Sequence, residues 1–178
     1  MTRFIPLLAA AAFTAAPLFA QQTSGTITAT LDLERHTWHV AGPADPRGST
    51  WQGIDSRQKV RLVGYAEEEP SDDSTPLVLT FTAEGAPTEA RSDDLTVELV
   101  RANTDQPLKA GPQNTTLTLT ALNTMGGEMI VAGSFTAVLT PGGADRIVQT
   151  DAEEAVTLDG NFQATLQKAG EDTSAAAE

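Results

Sequence analysis

The stretch GTITATLDLERHTWHV, residues 25–40, decides how the rest of the chain is read. Ile27, Ala29 and Leu31 alternate with threonines, and Trp38 and Val40 flank His39 at the same spacing. A period of two places one set of side chains on one face of a β-strand. A turn through Leu33 and Glu34 pairs Asp32 with Arg35, Leu31 with His36, Ala29 with Trp38 and Ile27 with Val40. The apolar residues then share a face, with the small Ala29 opposite the large Trp38, and a one-residue slip would turn them all to solvent. Leu-Glu suits a two-residue turn poorly, because such turns want positive φ, so a loop opened to four residues is the alternative.

The same alternation recurs downstream. Leu77, Leu79, Phe81 and Ala83 form one set, Leu95, Val97 and Leu99 another, and Leu117, Leu119 and Ala121 a third; Val60 and Leu62 flank Arg61 less regularly. Threonine dominates the polar positions, as expected for β-branched residues on a solvated sheet face. Between these runs lie AGPADPRGS, EEEPSDDSTP, EGAPTEARSDD, ANTDQPLKAGPQN and TPGGAD, all rich in turn-forming residues. Helical signals are almost absent after residue 20. The expectation is an all-β chain, an antiparallel β-sandwich with a partly closed β-barrel as the alternative, forming one domain over residues 21–167. A domain of that size buries roughly two thirds of its unfolded surface, enough for a core without cross-links.

Two further copies of the opening pattern, GSFTAVL at 133–139 and GNFQATL at 160–166, lie near the C-terminus. Met129, Val131, Gly133, Phe135, Ala137 and Leu139 match Val156, Leu158, Gly160, Phe162, Ala164 and Leu166 position by position. Two long strands joined by TPGGADRIVQTDAEE are expected to pair. A glycine inside a strand weakens it unless it marks a bend or leaves room for a neighbour, so Gly133 and Gly160 read as bends or as space for a facing aromatic ring. The first copy stands far from the other two, so no uniform repeat exists.

The N-terminus reads MTRFIPLLAAAAFTAAPLFA, with a basic start at Arg3, an apolar run and a small residue at Ala20. That is the layout of a secretory signal peptide over residues 1–20. The run is broken by Pro6 and Pro17 and falls short of the about 20 apolar residues a membrane span needs, and no later segment is apolar enough. The mature chain is therefore expected to be periplasmic or secreted, and the tail 168–178, KAGEDTSAAAE, to be disordered. The formal charge is −13, and loss of Arg3 makes it one unit more negative. Such a surface repels phosphate backbones and anionic headgroups, which argues against nucleic-acid and membrane-surface partners. With no cysteine, disulfide and thiol chemistry are absent.

Few residues suggest chemistry. His36 and His39 are the only histidines, and a separation of three in a strand sends them to opposite faces, so they do not chelate one ion together. Carboxylates cluster at Glu67, Glu68, Glu69, Asp72 and Asp73, at Asp93 and Asp94, and at Asp151, Glu153 and Glu154. The first cluster is the Ca²⁺ candidate, since that ion takes about six to eight oxygens in flexible geometry, although no spaced D-x-D-x-D-G loop is present. A solvated charge run is the simpler reading. No G-x-S-x-G elbow exists, and Ser134 lies within an expected strand. Trp51, in the Gly-bounded segment GSTWQGID, is the better ligand-contact candidate of the two tryptophans, although core or loop-anchor packing is the simpler reading for it. Asn114-Thr115-Thr116 matches a glycosylation sequon.

GTITATLDLERHTWHV near the mature start, together with GSFTAVL and GNFQATL near the end, resembles small exported bacterial β-sandwich proteins and lipoproteins of uncharacterised function. This chain lacks the lipid-attachment cysteine of the lipoprotein members. The resemblance implies a β-sandwich and carries no catalytic or binding residues. The functional expectation is a non-enzymatic structural, accessory or protein-binding module of the cell envelope. A binding protein for a small ligand, a sugar or Ca²⁺ is the alternative, and a hydrolase is a third reading.

Overall fold

The computed structural model describes residues 24–42, 47–54, 56–85, 91–101, 106–143, 147–148 and 154–170. Its strands are β1 (Gly25–Leu31), β2 (Glu34–Val40), β3 (Thr50–Ile54), β4 (Arg57–Tyr65), β5 (Pro76–Glu84), β6 (Arg91–Leu99), β7 (Leu108–Ala110), β8 (Thr115–Met125), β9 (Glu128–Pro141) and β10 (Val156–Lys168). A single 3₁₀ turn at Pro112–Asn114 precedes β8. The expected signal peptide and residues 171–178 of the expected tail lie outside the described residues. Lys168 itself completes β10, and the Ala169 N–H donates to the Trp51 carbonyl at 2.8 Å, so the ordered chain passes the expected edge at 167.

The chain is all-β. Its strands form one sheet in the order β2-β1-β10-β3-β4-β5-β6-β7-β9-β8, and the additional pairings β2–β4 and β10–β9 turn that sheet back on itself as a ring. All pairings are antiparallel except a short parallel contact between β3 and the end of β10. Inside the ring, the alternating residues named from sequence are buried: Leu77, Leu79, Phe81 and Ala83 of β5, Leu95, Val97 and Leu99 of β6, and Val60 and Leu62 of β4. Phe81 reaches across the interior to Phe162, with ring centroids 5.8 Å apart.

The three copies of the opening pattern are neighbours. β1 pairs with β10, and β10 pairs with β9 over twelve registered positions from Val156↔Leu139 to Gln167↔Glu128. In that register Gly133 lies opposite Phe162 and Gly160 opposite Phe135, each glycine facing the other strand's ring. A Cβ on Gly133 would sit 2.6 Å from the Thr118 carbonyl oxygen and 3.0 Å from the Phe162 ring. A Cβ on Gly160 would sit 2.5 Å from the Ala29 Cβ and 2.6 Å from the Thr28 oxygen. The second glycine therefore makes room for β1, and the rows across β1, β10 and β9 read Ile27-Phe162-Gly133 and Ala29-Gly160-Phe135.

The first hairpin differs from its expected register by two residues. The observed pairs are Leu31↔Glu34, Ala29↔His36, Ile27↔Trp38 and Gly25↔Val40. Asp32 and Leu33 form the turn with φ of 50° and 69°, the positive pair that a two-residue turn requires. Because the shift is even, every side chain keeps its expected face, and Ile27, Ala29, Trp38 and Val40 are buried. Clearance for Trp38 comes from Gly64 on β4, where an added Cβ would approach the Trp38 Cβ to 2.8 Å, and Ala29 fits against Gly160 instead.

β4 changes neighbours along its length, pairing with β3 from Arg57 to Arg61 and with β2 only at Gly64 and Tyr65. Val63 lies in the gap between them. There the buried Ser49 hydroxyl accepts the Val63 N–H at 2.8 Å and donates to the Val63 carbonyl at 3.2 Å, taking the place of a paired strand. Arg61 Nη1 holds the same segment through the carbonyls of Arg47 and Gly48 at 3.0 and 3.2 Å.

Three substitutions probe these contacts by urea denaturation. Gly160→Ala costs about 1–3 kcal/mol through overpacking on Ala29. Ser49→Ala costs about 1–3 kcal/mol by leaving the Val63 N–H buried without its acceptor. Leu33→Gly raises the midpoint by about 1 kcal/mol in stability with an unchanged slope, because Leu33 is 98% exposed and holds a left-handed φ.

Candidate functional site

The described surface is concave outside the ring, over the outer face of β5, β6 and β7. Val78, Thr80, Thr96 and Glu98 floor an open groove of about 350 Å³, Lys109 lines it, and the Gly142-Gly143 turn forms a wall. Each floor residue follows from the strand period: Leu77, Leu79, Val97 and Leu99 point inward, so Val78, Thr80, Thr96 and Glu98 point out. The register sets Val78 opposite Glu98 and Thr80 opposite Thr96, and brings Glu98 beside Lys109. Beyond Thr80 the β5–β6 ladder shifts register, and Asp94 there takes a positive φ of 58°. Such a bulge bends the strand and strengthens its twist at one end of the groove.

The wall depends on glycine. Gly142 and Gly143 have φ of 71° and 87°, and a Cβ on Gly143 would lie 3.3 Å from the Lys109 Cβ. The Gly142 N–H donates to the Pro107 carbonyl at 3.0 Å and the Gly143 N–H to the Thr140 carbonyl at 3.1 Å, folding the turn over β7. Lys109 Nζ and Glu98 Oε2 form an ion pair at 3.2 Å with both side chains about two fifths exposed. In such solvent contact the pair contributes at most about 1 kcal/mol, so both groups can exchange partners at little cost. The groove thus offers one ammonium, one carboxylate and two threonine hydroxyls around an apolar Val78.

The residues singled out from sequence lie elsewhere. Glu67, Glu68, Glu69, Asp72 and Asp73 follow β4 on an exposed segment. Asp72 meets Arg47 at 3.7 Å in full solvent, and no three acidic or histidine side chains gather to hold an ion among the described residues. Asp151 and Glu153 lie outside the described residues. His36 and His39 fall on opposite faces, as their spacing requires. His36 shares the inward side with Trp38 at 5.6 Å between ring centroids, while His39 pairs with Tyr65 at the β2–β4 closure.

Trp51, the candidate ligand contact, is only 7% exposed and belongs to the core, as the simpler reading had it. Its indole N–H donates to the Gly127 carbonyl at 3.1 Å, tying β3 to the β8–β9 turn, and Lys168 Nζ sits 5.8 Å from its ring. Gly53 makes room, since a Cβ there would come within 2.8 Å of that ring. The looseness of the Gly-bounded segment reflects this steric need rather than solvent access. The sequon residue Asn114 is also buried, at 7% exposure, and its Oδ1 accepts the Val148 N–H at 2.7 Å.

Comparisons with protein-family models, with curated proteins and with solved structures found no match to this chain.

Trp51 is separable into a hydrogen bond and a volume. The Gly127 carbonyl also accepts the Lys168 N–H at 2.9 Å, so it keeps a donor when the indole is lost. Trp51→Phe is expected to cost about 1 kcal/mol and Trp51→Ala about 3–5 kcal/mol in urea unfolding.

Proposed function

We propose that this chain is an exported, non-enzymatic β-sandwich that binds a protein partner of the cell envelope through the groove over β5, β6 and β7. In this reading β2, β1, β10, β9 and β8 form one layer and β3 to β7 the other, with the β2–β4 and β7–β9 contacts as corners. The contact of Phe81 on β5 with Phe162 on β10, strands not paired with each other, supports two facing layers. The N-terminal leader is removed on export, leaving the acidic domain in the periplasm or outside the cell.

The observation that carries the binding role is the open groove with its exposed Lys109–Glu98 pair, set against an interior filled by aliphatic and aromatic side chains. A small ligand is usually enclosed in a concave, largely apolar site. An open sheet face flanked by a turn suits a polypeptide segment, whose own charges can replace those of Lys109 and Glu98. The pairing of opposite charges also gives the groove direction, favouring a partner segment with an acid near Lys109 and a base near Glu98.

Site-specific photo-crosslinking in cells tests this. A crosslinker at Thr96 is expected to trap one discrete envelope protein, a crosslinker at Thr28 on the other layer is expected to trap none, and Lys109→Glu is expected to abolish the Thr96 adduct. Equal labelling from both positions, or an adduct indifferent to Lys109→Glu, contradicts the groove. A rise of several degrees in melting temperature with Ca²⁺ or a glycan would favour the small-ligand alternative, because a ligand that binds only the folded state stabilises it.

A further inference from the structure

β8, TTLTLTALNTM, is a long strand of 11 residues with neither a charge nor a proline. It ends the strand order, and β9 is its paired strand among the described residues. Natural edges are usually blunted by lysine, proline, inward charge or shortness, since an open row of backbone donors and acceptors templates further pairing. β6 covers the start of the strand, where the Thr115 hydroxyl donates to the Leu95 carbonyl at 2.9 Å, and the register shift between Leu119 and Ala121 is the one such device within residues 118–125. The other partly covered edges differ: β2 begins with Glu34 and Arg35, and β6 carries Asp93 and Asp94.

One outward row beside this edge is uncharged, while Glu128 stands opposite Met125 at the hairpin tip. Reading the registers across β1, β10, β9 and β8 gives an outward row of Thr28, Asn161, Ser134 and Thr118. Two apolar side chains stand out on the same hairpin. Met125 is 76% exposed at its tip, and Ile130, opposite Asn123, is 46% exposed.

We infer that residues 118–125 pair with the same strand of a second copy, giving an antiparallel two-fold dimer with Met125 and Ile130 at its margin. Charge selects this occupant. A chain with 24 acidic and 11 basic residues repels its own copies almost everywhere. β8 brings two copies together with no like charges directly opposed, and its threonines can form cross-strand pairs on the outer face. A two-fold interface needs a self-complementary patch, which an uncharged antiparallel edge provides. The residual repulsion between the acidic bodies acts through solvent, so added salt screens it and strengthens the dimer. An ion-paired interface would respond in the opposite sense.

Sedimentation equilibrium of the purified chain at low and high salt tests the inference, with hydrogen exchange at low and high protein concentration. The expected result is twice the monomer mass at high concentration, association that tightens with salt, and protection that rises with concentration within residues 118–125. The exposed pair Thr120→Glu and Asn123→Glu is expected to weaken association by more than about tenfold, with an unchanged circular dichroism spectrum. A wild-type chain that is monomeric throughout overturns the proposal. So does a dimer that salt weakens, or one whose concentration-dependent protection lies outside β8. If the double variant misfolds, the wild-type exchange pattern still decides.

Discussion

The structure depends on the room that two glycines leave in β9 and β10. Phe162 occupies the space that Gly133 leaves, and Phe135 lies opposite Gly160, against which β1 packs. The arrangement holds only in one register: a slip by two residues would set ring against ring in one direction, or glycine against glycine in the other. β1 is drawn into the same scheme because Ala29 closes on Gly160 from the other side. Phe162 then carries the packing across the interior to Phe81, linking strands with no hydrogen bonds between them. Interiors packed to crystal-like density transmit such constraints, so one strand pair sets the spacing of the whole ring.

Most of this was legible from the order of residues. Alternation identified most inward side chains, because the strand period is fixed by backbone geometry; it failed at the β8 register shift, beyond which Leu122 rather than the expected Ala121 is buried. The matching C-terminal strands and the role of their glycines as space for a ring were legible for the same reason. The first hairpin was read two residues out of register. Apolar patterning has a period of two and cannot distinguish even shifts, and the turn that decides between them uses a leucine in a conformation leucine disfavours. Trp51 was ambiguous in another way, since glycines around an aromatic ring suggest exposure as readily as they suggest a ring needing clearance.

The groove could not be found from sequence because no residue in it is unusual by itself. Val78, Thr80, Thr96, Glu98 and Lys109 are ordinary outward positions on three strands, and only the register puts the ammonium beside the carboxylate. Its one local cue was TPGGAD, whose adjacent glycines take the positive φ that lays a turn across β7. The conspicuous residues proved to be structural or solvated. Histidines were separated by the pleat, and the carboxylates of residues 67–73 line an exposed connection. The groove is instead built from plainer side chains brought together by pairing.

Another consequence follows from the position of β10. The last strand of the ring lies directly between the first strand and β9, so β1 has only β2 beside it until residues 156–168 have arrived. An isolated two-stranded hairpin is at best marginal in water. The β1–β2 hairpin therefore lacks its second neighbour while the chain is emerging, and contacts of such long sequence separation form slowly. The first hairpin gains its second neighbour along β1 only when the final strand is delivered, so its rigidity is acquired late.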